Sequence, residues 1–294
     1  MSKTHYFTVS VEYNHSIYDD CGFIIFPESY GENNSPTRLV ISCHGAGGTV
    51  ETNDSQVEHQ TLTQYLLANG YAVMDVNGLP FKLAEQYHID IRNNIGSFVA
   101  MEAYEKAYRY CTDKFNLKKE VFVHGASMGG ISSTNLVLRE KIPVIAQTGF
   151  CPVLDTYNEI FLHPWSNGLP KIALGILYNL DKDSFGNYIY DEQKICGLNP
   201  VNNKKLSRYP VPLKFWHCVD DETVSYKITK EFTDKIAAYG GCAQLILFEQ
   251  GGHEPQDAGE IITNPSGNTM YGNQNLIVRS AVEGVMEWIK KYDF

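Results

Sequence analysis

The stretch Val121-Phe122-Val123-His124-Gly125-Ala126-Ser127-Met128-Gly129-Gly130 runs from an apolar strand through Gly-x-Ser-x-Gly into a helix beginning near Met128. A serine at such a strand-to-helix turn must sit on strained backbone, and Gly125 and Gly129 remove the side chains that would collide there. Gly130 leaves room for close packing of the helix. The helix start aims N–H groups and a partial positive charge at the point where an oxyanion would develop. The arrangement reads as a nucleophile elbow with Ser127 as its candidate nucleophile.

Outward from this segment, short apolar runs at 39–43, 71–76, 121–124, 144–150, 213–219 and 245–248 alternate with helical periodicity. That alternation predicts a mostly parallel sheet covered by helices. Ala100, Ala103, Tyr104, Ala107, Tyr108 and Cys111 recur on one helical face, and Ile277, Val278, Ala281, Val282, Val285, Trp288 and Ile289 mark a closing helix. Both stripes read as core packing. Two strand-like runs, 6–13 and 22–26, precede the sheet and suggest an opening antiparallel hairpin, closed by the turn-prone 27–36 stretch.

A serine hydroxyl needs a base, and the base should lie on a loop at the carboxyl edge of the sheet. Of the nine histidines, His253 alone follows a late strand (243–249) and sits in a glycine-rich loop, Gln250-Gly251-Gly252-His253-Glu254-Pro255. The imidazole in turn needs a carboxylate to fix its tautomer. The run His217-Cys218-Val219-Asp220-Asp221-Glu222-Thr223-Val224 supplies two directly after a strand.

With these residues in view, the chain resembles the α/β-hydrolase superfamily from about Arg38 through its terminal helix, with Ser127, Asp221 and His253 in the order of that family. The family commonly presents its acid in His-Gly-x-x-Asp-x-x-Val. Matching His217 and Val224 puts the acid at Asp221, although Cys218 stands where the glycine is usual; Asp220, and beyond it Asp155 or Asp75, remain alternatives. Leu39-Val40-Ile41-Ser42-Cys43-His44-Gly45-Ala46-Gly47-Gly48 resembles the His-Gly-x-Gly oxyanion segment of esterases. The resemblance implies the Ala46 N–H as oxyanion donor beside the Met128 N–H, Gly47 as a third, and His44 as a brace for the loop.

Composition narrows the partners. The 294 residues are 43% hydrophobic and 20% charged, enough for a sizeable core, and 24 Lys plus Arg against 34 Asp plus Glu leave a formal charge of -10. Such a balance argues against nucleic acid and against anionic membrane surfaces, both of which call for clustered cations. No apolar run approaches the roughly 18 to 20 residues of a membrane span, and residues 1–6 lead into no apolar signal core. The expected location is the cytoplasm, or release without a signal peptide; a mature chain with its signal removed, or a virion component, would read the same. Seven scattered cysteines without a Cys-x-x-Cys pair suggest reduced thiols. No His-x-x-x-His pair or carboxylate cluster stands out, and neither Gly-x-Gly-x-x-Gly nor a Walker lysine is present, so neither a metal nor another cofactor is expected.

The expected architecture is one α/β-hydrolase domain over 1–294: a mostly parallel central sheet flanked by helices, with a cap inserted at 151–208 after the sixth strand. The 151–208 stretch carries four prolines among aromatics and is too long for a structureless loop. Its Trp165, Tyr157 and Phe161 are candidate substrate-binding surfaces, against the plainer reading that such rings pack the cap onto the body. The expected function is a serine carboxylesterase of small or carbohydrate acyl esters, because the 44–48 and 125–130 segments look similar to those of acetyl- and feruloyl-esterases and polyester depolymerases. The alternatives are a serine peptidase of the prolyl-oligopeptidase type, for whose propeller 294 residues leave no room, and a hydrolase-fold binding protein without catalysis. Oligomeric state is not legible in the sequence.

Overall fold

The computed structural model describes residues 3–51, 54–55, 57–163, 168–253, 261–263, 269–271 and 276–294. Its first elements are two eleven-residue strands, β1 (Lys3–Tyr13) and β2 (Ser16–Phe26), joined by Asn14 and His15. Both linking residues have positive φ, 47° and 63°, and Tyr13 pairs with Ser16. A two-residue turn with both φ values positive twists with the strands it joins, which is why so long a hairpin needs no wider loop. The second strand therefore starts earlier than its apolar run at 22–26 suggests.

Six more strands complete one sheet: β3 (Leu39–Cys43), β4 (Ala72–Val76), β5 (Val121–Ala126), β6 (Val144–Phe150), β7 (Leu213–Cys218) and β8 (Ala243–Phe248). Their order is β1-β2-β4-β3-β5-β6-β7-β8. β2 pairs antiparallel with β1 and β4, and the remaining pairs are parallel. Every residue of β3, β4 and β5 is buried, as expected of parallel strands covered on both faces.

The helices form the two covering layers. In chain order they are α1 (Thr61–Ala68), α2 (Phe81–Tyr87), α3 (Phe98–Lys114), α4 (Gly129–Arg139), α5 (Leu169–Leu177), α6 (Glu192–Ile195), α7 (Tyr226–Ala238) and α8 (Leu276–Tyr292). One apolar layer joins Leu83 of α2, Tyr104 of α3, Leu136 of α4 and Phe232 of α7. The other joins Leu62 and Leu66 of α1 to Val285 and Trp288 of α8. The α3 stripe is buried throughout, as are Ala281, Val282, Val285, Trp288 and Ile289 of α8; the side chains of Ile277 and Val278 lie outside those described. No helix among the described residues is long and apolar enough to cross a membrane, and none of the seven cysteines is in a disulfide.

From β3 the chain crosses to β4 on one side, and it returns to β5 on the other. Where consecutive connections diverge in this way, a crevice opens beyond the carboxyl ends of the strands. The segments 44–48 and 126–130 both begin there, after β3 and β5.

Between β6 and β7, the segment 151–208 holds a π-helical turn (Thr156–Phe161), α5, α6 and two short 3-10 turns, Pro200–Asn202 and Lys204–Arg208. Glu159 ties its start together, accepting through Oε2 from the backbone N–H of Leu154 (2.7 Å) and of Asp155 (2.9 Å). Burial outweighs these bonds and pushes its pKa up from 4.5 to about 8. Between those two values the folded chain keeps a proton that the unfolded chain has lost, so this group makes stability fall as pH rises through the window. Glu159→Gln, which cannot ionise, is expected to gain melting temperature relative to the wild type between pH 5 and pH 8. Thermal unfolding of both proteins at the two values tests this; a constant difference would contradict it.

Candidate active site

The elbow has the backbone its sequence demands. Ser127 lies at φ 51°, in the left-handed region that non-glycine residues seldom occupy without reason. Its N–H donates to the carbonyl of Phe150 on β6 (3.0 Å), and its carbonyl accepts from the N–H of Gly130 (2.8 Å) and of Val153 (2.9 Å), which locks the turn on both sides. A Cβ at Gly125 would strike the Gly129 carbonyl and the Ser133 hydroxyl. One at Gly129 would strike the carbonyl of Cys43, and that of His44 would lie only 2.7 Å away. The second glycine therefore does more than relieve the turn: it lets the start of α4 touch the end of β3, bringing the 44–48 loop beside Ser127.

In that loop Ala46 is half-buried and Gly47 adopts φ 94°. The N–H groups of Ala46 and Met128 donate to no other described group. His44 faces away from this chemistry. Its Nδ1 lies 2.8 Å from Asp75 Oδ2, with both side chains buried, and its Nε2 lies 3.1 Å from Asn94 Nδ2. Asn94 is oriented by the Gly96 N–H, which donates to its Oδ1, so its amide donates to Nε2 and the ring proton of His44 lies on Nδ1. Tyr104 donates to the other oxygen of Asp75 (2.7 Å). Asp75 is thus engaged in bracing the loop.

His253 reaches the elbow from the loop after β8. Its Nε2 lies 2.9 Å from Ser127 Oγ, and its Nδ1 lies 2.8 Å from Asp221 Oδ2. Gly251 and Gly252, at φ 144° and 66°, bend the backbone that carries it. Asp220 holds this bend, accepting from the N–H of Gly251 (3.2 Å) and of Gly252 (2.9 Å). The two adjacent carboxylates therefore divide the work: Asp221 meets the imidazole and Asp220 its loop. Asp155 caps the 156–161 turn instead, accepting from the Tyr157 N–H.

Asp221 is held from four directions. Oδ1 accepts from the N–H of Thr223 (2.8 Å) and of Val224 (2.9 Å), and Oδ2 receives both His253 and His217 Nε2 (3.1 Å). His217 Nε2 also faces the Val224 carbonyl, so it carries the proton, while Nδ1 accepts from the Thr229 hydroxyl (3.0 Å). Burial works against ionisation of Asp221, but the bonds from His217, His253 and Val224 outweigh it and hold the carboxyl well below its usual range. Its stabilising contribution is therefore complete above the ordinary carboxylate range and is lost as pH falls through the lowered value. In the sequence His217 marks only the register of the acid. A histidine four residues before an acid, across a strand end, was the signal available for its second role.

Cys151 was not singled out in the sequence. At the end of β6, with φ 36° and its N–H on the Trp216 carbonyl (2.8 Å), it places its sulfur within 4.8 Å of ligand atoms of both Asp221 and His253.

A cleft of about 310 Å³ opens beside Asp221, lined by Asn158, His163, Thr223, Ser225 and Tyr226 among others. Of the three rings singled out for substrate binding, Tyr157 is exposed, whereas Phe161 is buried, 5.3 Å from the Tyr190 ring and covered by Lys171 Nζ at 4.2 Å. Trp165 lies outside the described residues.

Sheet order, crossover pattern and the placement of a Ser–His–Asp line at the carboxyl edge define an α/β-hydrolase fold. Solved structures agree. The chain superposes on acylaminoacyl peptidase of Pyrococcus horikoshii with a TM-score of 0.66 at 12% identity, covering 98% of this chain and 42% of that one. A sugar hydrolase, YeeB, from Lactococcus lactis gives 0.57 at 18% identity, covering 97% and 98%. Est1E from Butyrivibrio proteoclasticus gives 0.56 at 15%, also covering 97% and 98%. The chain thus spans less than half the length of the peptidase and nearly all of the other two. No protein-family model matches the sequence, and no curated protein does.

Proposed function

We propose that the chain is a serine hydrolase, and within that class a carboxylesterase acting on acyl esters of small or carbohydrate alcohols. One observation carries the proposal: Ser127 Oγ, His253 Nε2, His253 Nδ1 and Asp221 Oδ2 form an unbroken hydrogen-bonded line, with 2.9 and 2.8 Å links, at a strained elbow. His253 Nε2 takes the Ser127 proton as Oγ attacks the ester carbonyl. The N–H groups of Ala46 and Met128 receive the oxyanion. Collapse passes the proton from Nε2 to the departing alcohol and leaves an acyl-serine. A water molecule, deprotonated by the same nitrogen, then releases the acid and restores Ser127.

The preference for small or carbohydrate alcohols is supported by the likeness of the 44–48 and 125–130 segments to those of acetyl- and feruloyl-esterases; the cleft beside Asp221 is lined by neither Ser127 nor His253 and does not bear on it. In this reading the 151–208 segment acts as a cap and Tyr157 presents an exposed ring to a sugar or aryl group. A peptidase is the second reading, favoured by the superposition on acylaminoacyl peptidase. Short p-nitrophenyl esters, acetylated sugars, feruloyl esters and aminoacyl amides, assayed side by side, separate the two. Hydrolysis of esters far faster than amides is expected; the reverse would transfer the assignment to peptides, and failure to react with a fluorophosphonate would end both readings.

A further inference from the structure

We propose that Cys151, Asp221 and His253 form a binding site for a thiophilic divalent cation, zinc above all, and that its occupation switches the site off. The sulfur, a carboxylate oxygen and an imidazole nitrogen already lie within 4.8 Å of one another. Zinc holds thiolate at ~2.3 Å and imidazole or carboxylate at ~2.0 to 2.2 Å, so its tetrahedral ligands sit about 3.5 Å apart. His253 Nδ1 and Asp221 Oδ2, 2.8 Å apart, would open by roughly half an ångström, and the Cys151 sulfur would close in by roughly 1.3 Å at most. Three protein ligands of mixed N, O and S character, with a fourth position left for water, match the open type of zinc site.

The surroundings favour such a site. Zinc ligands are ordinarily oriented by hydrogen bonds from behind, and here His217, Thr223 and Val224 already hold Asp221 while the Trp216 carbonyl anchors the backbone of Cys151. Cys151 and the Asp221 carboxylate are closed to solvent, whereas the His253 side chain is 20% exposed, so an ion would enter past the imidazole.

Inhibition follows from proton placement. The ion takes the Nδ1 lone pair, and the ring's single proton moves from Nδ1 to Nε2. The Cys151 thiol proton leaves to solvent as sulfur binds. One proton is released per ion bound, and Nε2 is left a donor, unable to accept from Ser127.

The effect on turnover rests on the esterase reading, whereas metal binding itself does not, and the two are read separately. Titration of the whole chain with Co²⁺ should produce a thiolate-to-metal charge-transfer band, absent from Cys151→Ser and from Cys151→Ala. In p-nitrophenyl acetate hydrolysis, Zn²⁺ should inhibit reversibly, EDTA should restore the rate, and either variant should raise the half-inhibiting concentration by about 100-fold, the upper end of what losing a partner of a metal ligand costs. The second variant guards against misfolding of the first. A Co²⁺ spectrum without the band, or equal zinc sensitivity in wild type and variants, would overturn the site. A band without measurable hydrolysis would leave the site standing and remove the esterase reading alone.

Discussion

Ser127→Ala is expected to lower turnover by about 10⁶-fold, the scale on which removal of a triad serine acts elsewhere. The loss is this large because the remaining groups lose their task together: His253 has no proton to take, and the N–H groups of Ala46 and Met128 have no covalent intermediate to stabilise. Folding should survive. The Oγ of Ser127 is engaged by His253, while the elbow is held by the backbone bonds to Phe150, Gly130 and Val153, none of which the substitution touches. Alanine meets the same positive-φ strain as serine, so the melting temperature should hardly change. The check is kcat on the best ester, with fluorophosphonate labelling and a melting curve alongside. A variant retaining wild-type kcat would place the nucleophile elsewhere.

Asp221→Asn is expected to cost about 10⁴-fold in rate, and the hydrogen bonds indicate how. The Thr223 and Val224 N–H groups point at Oδ1, so the amide oxygen of an asparagine must stay there. Its NH₂ is then forced into the Oδ2 position, facing His253 and His217. Donating to His253 Nδ1, it drives the ring proton onto Nε2, the tautomer that cannot accept from Ser127. It also opposes the N–H of His217, so some stability should be lost as well. Asp220→Asn differs: an amide oxygen still accepts from one of the two glycine N–H groups, and the expected rate loss stays within about tenfold. Steady-state kinetics of both variants provide the test, and exchanged severities would move the acid by one residue.

Much of this architecture was legible because its causes are local. Glycines at 125 and 129, an apolar run before Ser127 and helical stripes after it are demands of backbone geometry and burial, which act over a few residues. Even so, Gly129 serves a purpose beyond its own turn, since its missing Cβ admits the carbonyls of Cys43 and His44 from the end of a strand far earlier in the chain.

The order Ser127, Asp221, His253 and the alternation of strands with helices follow from the chain alone, because hydrophobic period and glycine placement leave few ways to cover a parallel sheet. Polar partnerships do not follow in this way. Whether Asp220 or Asp221 meets the imidazole depends on which carboxylate the 219–224 turn points inward, and neighbouring residues in a turn point in different directions. The same holds for Asp75 on His44, for His217 on Asp221, and for Cys151, brought to the other two from the end of a different strand. Hydrogen bonds and metal contacts act over about 3 Å, and only the packed positions of distant loops determine which groups come that close.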